Sequence, residues 1–395
     1  MPERESLQTT KTIRLHVNRF KQIDVLRALA VFLVLGRHMP RCPVETSAFL
    51  HQVTDVWARG GWIGVDIFFV LSGFLVSGLL FREHEKYREL HIGHFLIRRG
   101  FKIYPPFWLL IGVTFVGGYI RHHKLPLREV ASELLFIQNY GPSLWNHTWS
   151  LAVEEHFYLL LAFGLFLLAR RRSPRPFKPL PAAFVAVAVL CLGLRILGAR
   201  APFVNETHLF PTHLRIDGLL FGVLLSYLFH RHPIWILSIA SRFRYVLLGA
   251  GVILLLPAFC FQLETNRFMY TYGFSLFYVG GGFLLLCALG FRGPVTPLVN
   301  LLAYIGSQSY SVYLWHMPVA MWGALVIANR FPPYYSWFIY AASYLLGAVG
   351  CGIAMSLLTE FPVLRIRDRL FPSRGASLST NATGSNNALQ ATGAE

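Results

Sequence analysis

The stretch GWIGVDIFFVLSGFLVSGLLF, residues 61–81, decides the fold. It carries a single formal charge, Asp66, and as an α-helix it would run about 31 Å, the thickness of a bilayer's hydrocarbon core. Further apolar segments fall at 23–40, 103–120, 149–169, 181–199, 212–229, 245–261, 270–291, 304–328 and 335–359. The spacing predicts an all-α, polytopic transmembrane helix bundle of about ten spans. The first segment is the shortest: its uncharged part runs only from Ala28 to Gly36, with Asp24, Arg27 and Arg37 near its ends, so an interfacial or re-entrant helix would also fit.

Composition agrees. Of 395 residues, 54% are hydrophobic and 14% charged, and the mean hydropathy is +0.49. A water-soluble fold of this length would need more polar surface. The net charge of +17, from 36 Lys and Arg against 19 Asp and Glu, reflects membrane topology and not a nucleic-acid partner, because the basic residues fall in alternate loops. Rich segments are the N-terminus, the loop around Arg82–Lys102, the cluster Arg170, Arg171, Arg172, Arg175 and Lys178, the Arg231–Arg244 loop with Arg292 beyond it, and the tail with Arg365, Arg367 and Arg369; segments 41–60, 121–148, 200–211, 262–269 and 329–334 are poor. An even number of spans with both termini cytoplasmic satisfies every loop, placing a multi-pass protein in the cell inner membrane among membrane lipid.

The expected organisation is a cytoplasmic segment 1–19, one membrane domain 20–360, and a cytoplasmic tail 361–395 that is largely disordered from Ser373 onward, where Ser, Ala, Asn, Thr and Gly dominate. No cleaved signal peptide is expected. Cys191, Cys287 and Cys351 lie in apolar segments, while Cys42 and Cys260 could share the outer side; no Cys/His spacing suggests zinc, so no metal and no bound cofactor is expected.

Ionisable residues inside membrane segments are costly and mark functional candidates. Arg27 and His38 are eleven residues apart, within about 20° of one helix face and about 16 Å apart along the axis. Asp24 sits one turn before Arg27. In residues 61–81, Asp66 and Ser72 lie on a Gly-rich helix suited to close packing, although Ser72 has the alternative of bonding a backbone carbonyl. Arg98, Arg99 and Lys102 precede a Pro-Pro pair on the cytoplasmic side, where cations suit phosphate groups or simply fix topology. In NHTWSLAVEEHFYLLL, residues 146–161, Trp149, Ser150, Glu154, Glu155 and His156 open a span; adjacent glutamates point about 100° apart, so one can face the bundle interior while the other finds a polar neighbour. Arg215 and Asp217 read as site support or as a structural ion pair, and His316 as a site or a packing histidine.

Taken in order, IDVLRALAVFLVLGRH, GVDIFFVLSGFL, RRGFKIYPPFW, WSLAVEEHFYLL, RIDGLLFG and YSVYLWHMP resemble the acyltransferase 3 family of membrane acyltransferases through most of residues 20–360. The resemblance implies a ten-helix bundle, acyl-CoA taken from the cytoplasm as donor substrate, and acylation of a hydroxyl on a glycan or glycoside at the outer side. It implies His38 as the essential histidine, with Arg27 supporting the donor or the bundle. The family's Arg-Ile-Tyr-Pro motif here begins with Lys102 and continues through Tyr104, keeping the charge without the bidentate fork. Some relatives carry a fused extracytoplasmic esterase-like domain; here that transfer is expected to be dispensable or supplied by a separate protein.

On this reading His38 takes the acceptor proton as general base, or is itself acylated. Arg98, Arg99, Lys102 and Tyr104 hold the donor, Glu154 orients His38 or the acceptor, and Asp66 or Ser72 lines the passage. Two other readings use the same buried charges: a proton-coupled transporter, and a lipid-linked glycosyltransferase drawing on Glu45 and Asp55.

Overall fold

The computed structural model describes residues 21–120, 127–171, 173–291 and 293–373. The expected N-terminal segment 1–19, Arg172 and Arg292 of the basic loops, and tail residues 374–395 lie outside these.

Fifteen helices of eight or more residues organise the described chain: α1 Lys21–His38, α2 Ala48–Gly60, α3 Ile63–Tyr87, α4 Ile92–Ile120, α5 Leu127–Leu134, α6 Trp149–Ala169, α7 Leu180–Gly198, α8 Ile216–Arg231, α9 Pro233–Arg242, α10 Arg244–Cys260, α11 Phe274–Gly290, α12 Pro297–Ser307, α13 Ser309–Pro318, α14 Pro333–Met355 and α15 Phe361–Leu370. No strand occurs among the described residues. Among the described residues seven helical segments are long and apolar enough to cross a membrane, and the protein is a multi-pass helical membrane protein.

Three expected spans differ from that standard. Helix α1 has 18 residues and keeps Asp24 and Arg27 within it. Helix α10 has 17 residues. The segment expected at 212–229 becomes α8, which meets α9 at a 110° bend where Pro233 starts a new helix. The segment expected at 304–328 is also not one helix: the chain breaks at Gln308 between α12 and α13, then passes through a π-helical turn, Val319–Ala324, directly after Pro318. Proline removes a helical N–H, and a widened turn absorbs the mismatch. The segments expected as outer loops hold the short helices α2 and α5.

Glycine sets the closest contacts. A Cβ on Gly73 of α3 would stand 1.9 Å from the Leu219 carbonyl oxygen of α8, and one on Gly222 would stand 2.2 Å from the Val70 carbonyl oxygen. These two helices therefore cross backbone against backbone, as small residues permit in a membrane bundle. Gly306 of α12 is equally tight on α1, where its Cβ would fall 1.7 Å from the Asp24 carbonyl oxygen.

Outside the spans, Glu133 at the end of α5 ties down the loop leading to α6. One of its carboxyl oxygens accepts the N–H groups of Leu144 at 3.1 Å and Trp145 at 3.2 Å, and both oxygens lie 2.9 Å from the Thr148 hydroxyl. Burial pushes this carboxyl up to about 7, against the opposing pull of the N–H groups. At the other end of the chain α15 docks on α4: Arg98 pairs with Asp368 at 3.0 Å and donates to the Phe371 carbonyl. Residues 361–370, assigned to the tail, are thus helical.

Candidate active site

Helix α1 is the spine of the site. From its Lys21 end to its His38 end, three cavities follow one another. The lower, about 390 Å³, is lined by Ile23, Asp24 and Arg27 with Arg82, Lys102 and His230. The middle, about 300 Å³, shares Arg27, Leu75, Arg82 and Lys102 with the lower one and adds Ser72, Arg99, Ser150 and Glu154. The upper, about 100 Å³, is lined by Val34, Arg37 and His38 with Asn146, His147 and Trp149. Val65 and Tyr313 line both the middle and the upper cavities and so form the wall between them. The spacing read from the sequence thus puts Arg27 on the lower side of this wall and His38 on the upper.

His38 does not stand alone. Its ring lies 5.1 Å from that of His316, which lies 4.9 Å from that of His147. His316 Nδ1 must donate to the Tyr313 carbonyl, 2.5 Å away, because a carbonyl oxygen only accepts. That leaves its Nε2 lone pair buried without a partner among the described residues. His147 Nε2 likewise donates to the Leu314 carbonyl at 3.2 Å, leaving Nδ1 as the unpartnered nitrogen. His316 is therefore not a packing histidine with both nitrogens satisfied. It holds a basic nitrogen inside a cluster of three imidazoles.

In the middle cavity, Glu154 accepts from Ser72 at 3.0 Å and from the Tyr158 hydroxyl at 2.6 Å. It lines the middle cavity and not the upper one, so its carboxylate serves the passage below the wall. Arg99 lines the same cavity, its guanidinium 5.4 Å from the Tyr158 ring centre. The neighbouring Glu155 turns away as expected and accepts from Tyr104 at 3.1 Å; neither residue lines the three cavities, so Tyr104, expected to hold the donor, stands outside them because it is drawn to Glu155. Ser150 meets the Tyr313 hydroxyl at 2.7 Å.

Of the expected donor-binding cations, Arg99 and Lys102 line the passage, and Lys102 pairs with Glu360 at 3.0 Å. Arg98 is instead turned toward α15. Asp24 pairs with Arg27 at 3.4 Å. Trp149 stacks on Phe210 at 5.1 Å on the upper cavity's wall.

The ion pair expected between Arg215 and Asp217 does not form. Arg215 pairs with Asp66 of α3 at 2.6 Å, its guanidinium 3.7 Å from the Phe274 ring centre, while Asp217 pairs with Arg195 of α7. Residues two apart on a helix point away from one another, so each finds a partner on another helix. Asp66 is thus a buried anchor and not a lining residue. Arg195, a lone arginine in an apolar segment, carried a legible signal of this role; the signals of His147, at the edge of the NHTWS motif, and of Tyr313 were weaker. Among the described residues no group of His, Cys, Asp and Glu side chains is placed to hold a metal ion.

The helix bundle thus holds a chain of polar-lined cavities along α1, with Arg27, Arg99 and Lys102 on one side of a tyrosine wall and His38 and His147, with Arg37 and Arg215, on the other, the interior of a membrane protein that keeps ionisable groups for a purpose other than packing. An acyltransferase domain of the acyltransferase 3 type matches residues 20–357, and the chain belongs to that family. It is 29% identical to the peptidoglycan O-acetyltransferase OatA of Listeria monocytogenes over 79% of this chain and 50% of that protein. It is 26% identical to the O-acetyltransferase OatA of Staphylococcus aureus, over 86% of this chain and 56% of that one. The putative peptidoglycan O-acetyltransferase YrhL of Bacillus subtilis is 28% identical over 75% and 48%. The chain spans about half the length of these curated relatives. No solved structure matches it.

Proposed function

We propose that the protein is a membrane-embedded O-acyltransferase that moves an acyl group from cytoplasmic acyl-CoA to a hydroxyl of a glycan acceptor at the outer side of the inner membrane. The reading includes ten spans with both termini cytoplasmic, so that the lower cavity faces the cytoplasm. The observation that carries it is the division of α1 by the Val65–Tyr313 wall, with Arg27, Arg99 and Lys102 below it and His38 and His147 above it. The family supports acyl transfer, and the relatives named as peptidoglycan O-acetyltransferases support a glycan acceptor and a short acyl group.

The chemistry follows from the groups present. A thioester is already activated, so the protein must bind it, exclude water and deprotonate the attacking hydroxyl. Arg99 and Lys102 are suited to the donor's phosphates, and Ser72 and Glu154 line the path of its pantetheine arm. At the wall the acceptor oxygen attacks the thioester carbonyl while His38 takes its proton. The carbon–sulfur bond breaks, and the same proton passes to the departing thiolate. His316, with its tautomer fixed by the Tyr313 carbonyl, positions the His38 ring.

The test is transfer of labelled acetyl from acetyl-CoA to lipid-linked glycan in proteoliposomes. His38→Ala is expected to insert and fold normally and to lose transfer; wild-type transfer in that variant overturns the assignment. Counterflow of a solute without CoA would instead support a transporter.

A further inference from the structure

The lower cavity holds a cation that none of the family-like motifs contains. Arg82, near the end of α3, lines both the lower and the middle cavities. The other cations of the lower cavity are matched, Arg27 by Asp24 and Lys102 by Glu360. No carboxylate pairs with Arg82 within 4 Å among the described residues; Glu85, three residues on, is the acid whose field reaches it. A cation lining a cavity in a membrane bundle without a paired anion is costly unless a ligand supplies the charge.

The surroundings of Arg82 are built for an anion. Gly78 lies one turn earlier, and the point where its Cβ would stand is 3.3 Å from His230 Cε1, 3.3 Å from the Ser226 hydroxyl and 3.8 Å from Arg82 Nη1. Arg82, Gly78 and His230 line the lower cavity, and the Ser226 hydroxyl lies behind them against Gly78, outside the cavity lining. Ser226 is fully buried, and its hydroxyl has no hydrogen-bond partner among the described residues. His230 is held by its Nδ1–H, which donates to the Ser226 carbonyl at 2.8 Å, and it lines the lower cavity. An unmatched guanidinium lining the cavity leaves a charge and hydrogen-bonding deficit that a multi-oxygen anion would satisfy. Apolar side chains complete the cavity, with Phe74, Phe229 and Phe361 on its walls.

We infer that Arg82, with His230 beside it on the cavity wall, forms a phosphate subsite that holds a phosphate of the donor nucleotide, with the aromatic walls beside it taking the base. The inference rests on the acyl-CoA reading above. CoA offers two phosphate sources, the 3′-phosphomonoester and the pyrophosphate. Arg82 accounts for recognition at this corner, whereas Arg99 lines the middle cavity alone and Lys102, which lines both, is matched by Glu360.

Binding of CoA, dephospho-CoA and pantetheine to the full-length protein in detergent separates the sources. In wild type, affinity should fall from CoA to pantetheine. Arg82→Gln should weaken CoA about tenfold or more, the loss of a charge-assisted contact, and should leave pantetheine unchanged. Loss of the CoA to dephospho-CoA difference assigns the subsite to the 3′-phosphate; loss of the dephospho-CoA to pantetheine difference assigns it to the pyrophosphate. Arg82→Lys and His230→Asn, milder changes, should shrink the same difference by a smaller factor, which guards against misfolding of the Arg82→Gln variant. The subsite is overturned if these variants keep wild-type ratios among the three ligands, or if wild type binds CoA no better than pantetheine, an outcome that leaves the donor reading standing. If wild type binds none of the three, the donor reading itself fails and the subsite falls with it.

Discussion

The Tyr313 hydroxyl donates to the His147 carbonyl at 2.6 Å and sits 2.7 Å from the Ser150 hydroxyl, so the side chain dividing two cavities is pinned to the strand of backbone that carries an imidazole of the site. Tyr313→Phe removes the pin and leaves the His147 carbonyl only the long Ser150 contact at 3.5 Å, a cost of about 1 kcal/mol. Tyr313→Ala removes the wall. The expected result is a graded rise in thioester hydrolysis relative to transfer, read as free CoA released per acyl group delivered. A constant ratio across both variants would show that the wall does not exclude water.

His316 contacts His38 through its ring and keeps one nitrogen unbonded, so it should act on rate more than on binding. His316→Ala is expected to lower kcat for transfer by tenfold or more with the KM for acyl-CoA near wild type, whereas His38→Ala should cost about 10²- to 10⁴-fold, the usual scale for losing a general base. Initial-rate measurements in proteoliposomes separate the two. An equal rise in KM for His316→Ala would point to a donor-binding role.

The Arg195–Asp217 pair is fully buried and lines none of the three cavities. Asp217→Ala strands a buried guanidinium and should cost about 3–5 kcal/mol, while replacing both residues together by Met and Leu should recover most of that. Thermal unfolding in detergent measures both. Transfer per folded molecule should stay near wild type in the double variant.

Gly73→Ala should separate α3 from α8, because its Cβ would overlap the Leu219 carbonyl, and a loss of folded yield and melting temperature is expected. Gly164→Ala is the matched control, with nothing within 4 Å of its Cβ position. Comparable melting temperatures for the two variants would contradict the close crossing.

Glu133 provides a pH test. Its carboxyl is raised by burial from 4.5 to about 7, so the folded state binds the proton more tightly than the unfolded state does. Its contribution to stability is greatest below about pH 4.5 and is lost as pH rises toward 7. Glu133→Gln should flatten the decline in melting temperature across that interval, and an unchanged slope would contradict the assignment.

Much of the fold was legible in the sequence because a bilayer permits few solutions. Every backbone polar group must be satisfied inside its own segment, so long apolar runs become helices wherever they occur, and α3, α4, α6, α7 and α14 lie where hydropathy puts them. Breaks were less legible: hydropathy averages over Gln308 and over the bend before Pro233, and neither changes the apolar count enough to be seen. Among the candidate site residues, the relative placement of Arg27 and His38 was readable because they share one helix, and helical geometry alone fixes their relation.

Partners drawn from different helices were not readable. The sequence by itself determined the membrane class, the helices, and the placement of an arginine and a histidine along one face of α1, since these depend on local periodicity and solvation. Only the tertiary structure decided that Asp66 pairs with Arg215 and Asp217 with Arg195, that Glu154 serves the passage below the wall, and that His147 and His316 join His38. Those relations depend on how α3, α6, α8 and α13 are rotated and packed against one another, and that is set by close contacts such as Gly73 on Leu219 whose two halves lie 146 residues apart.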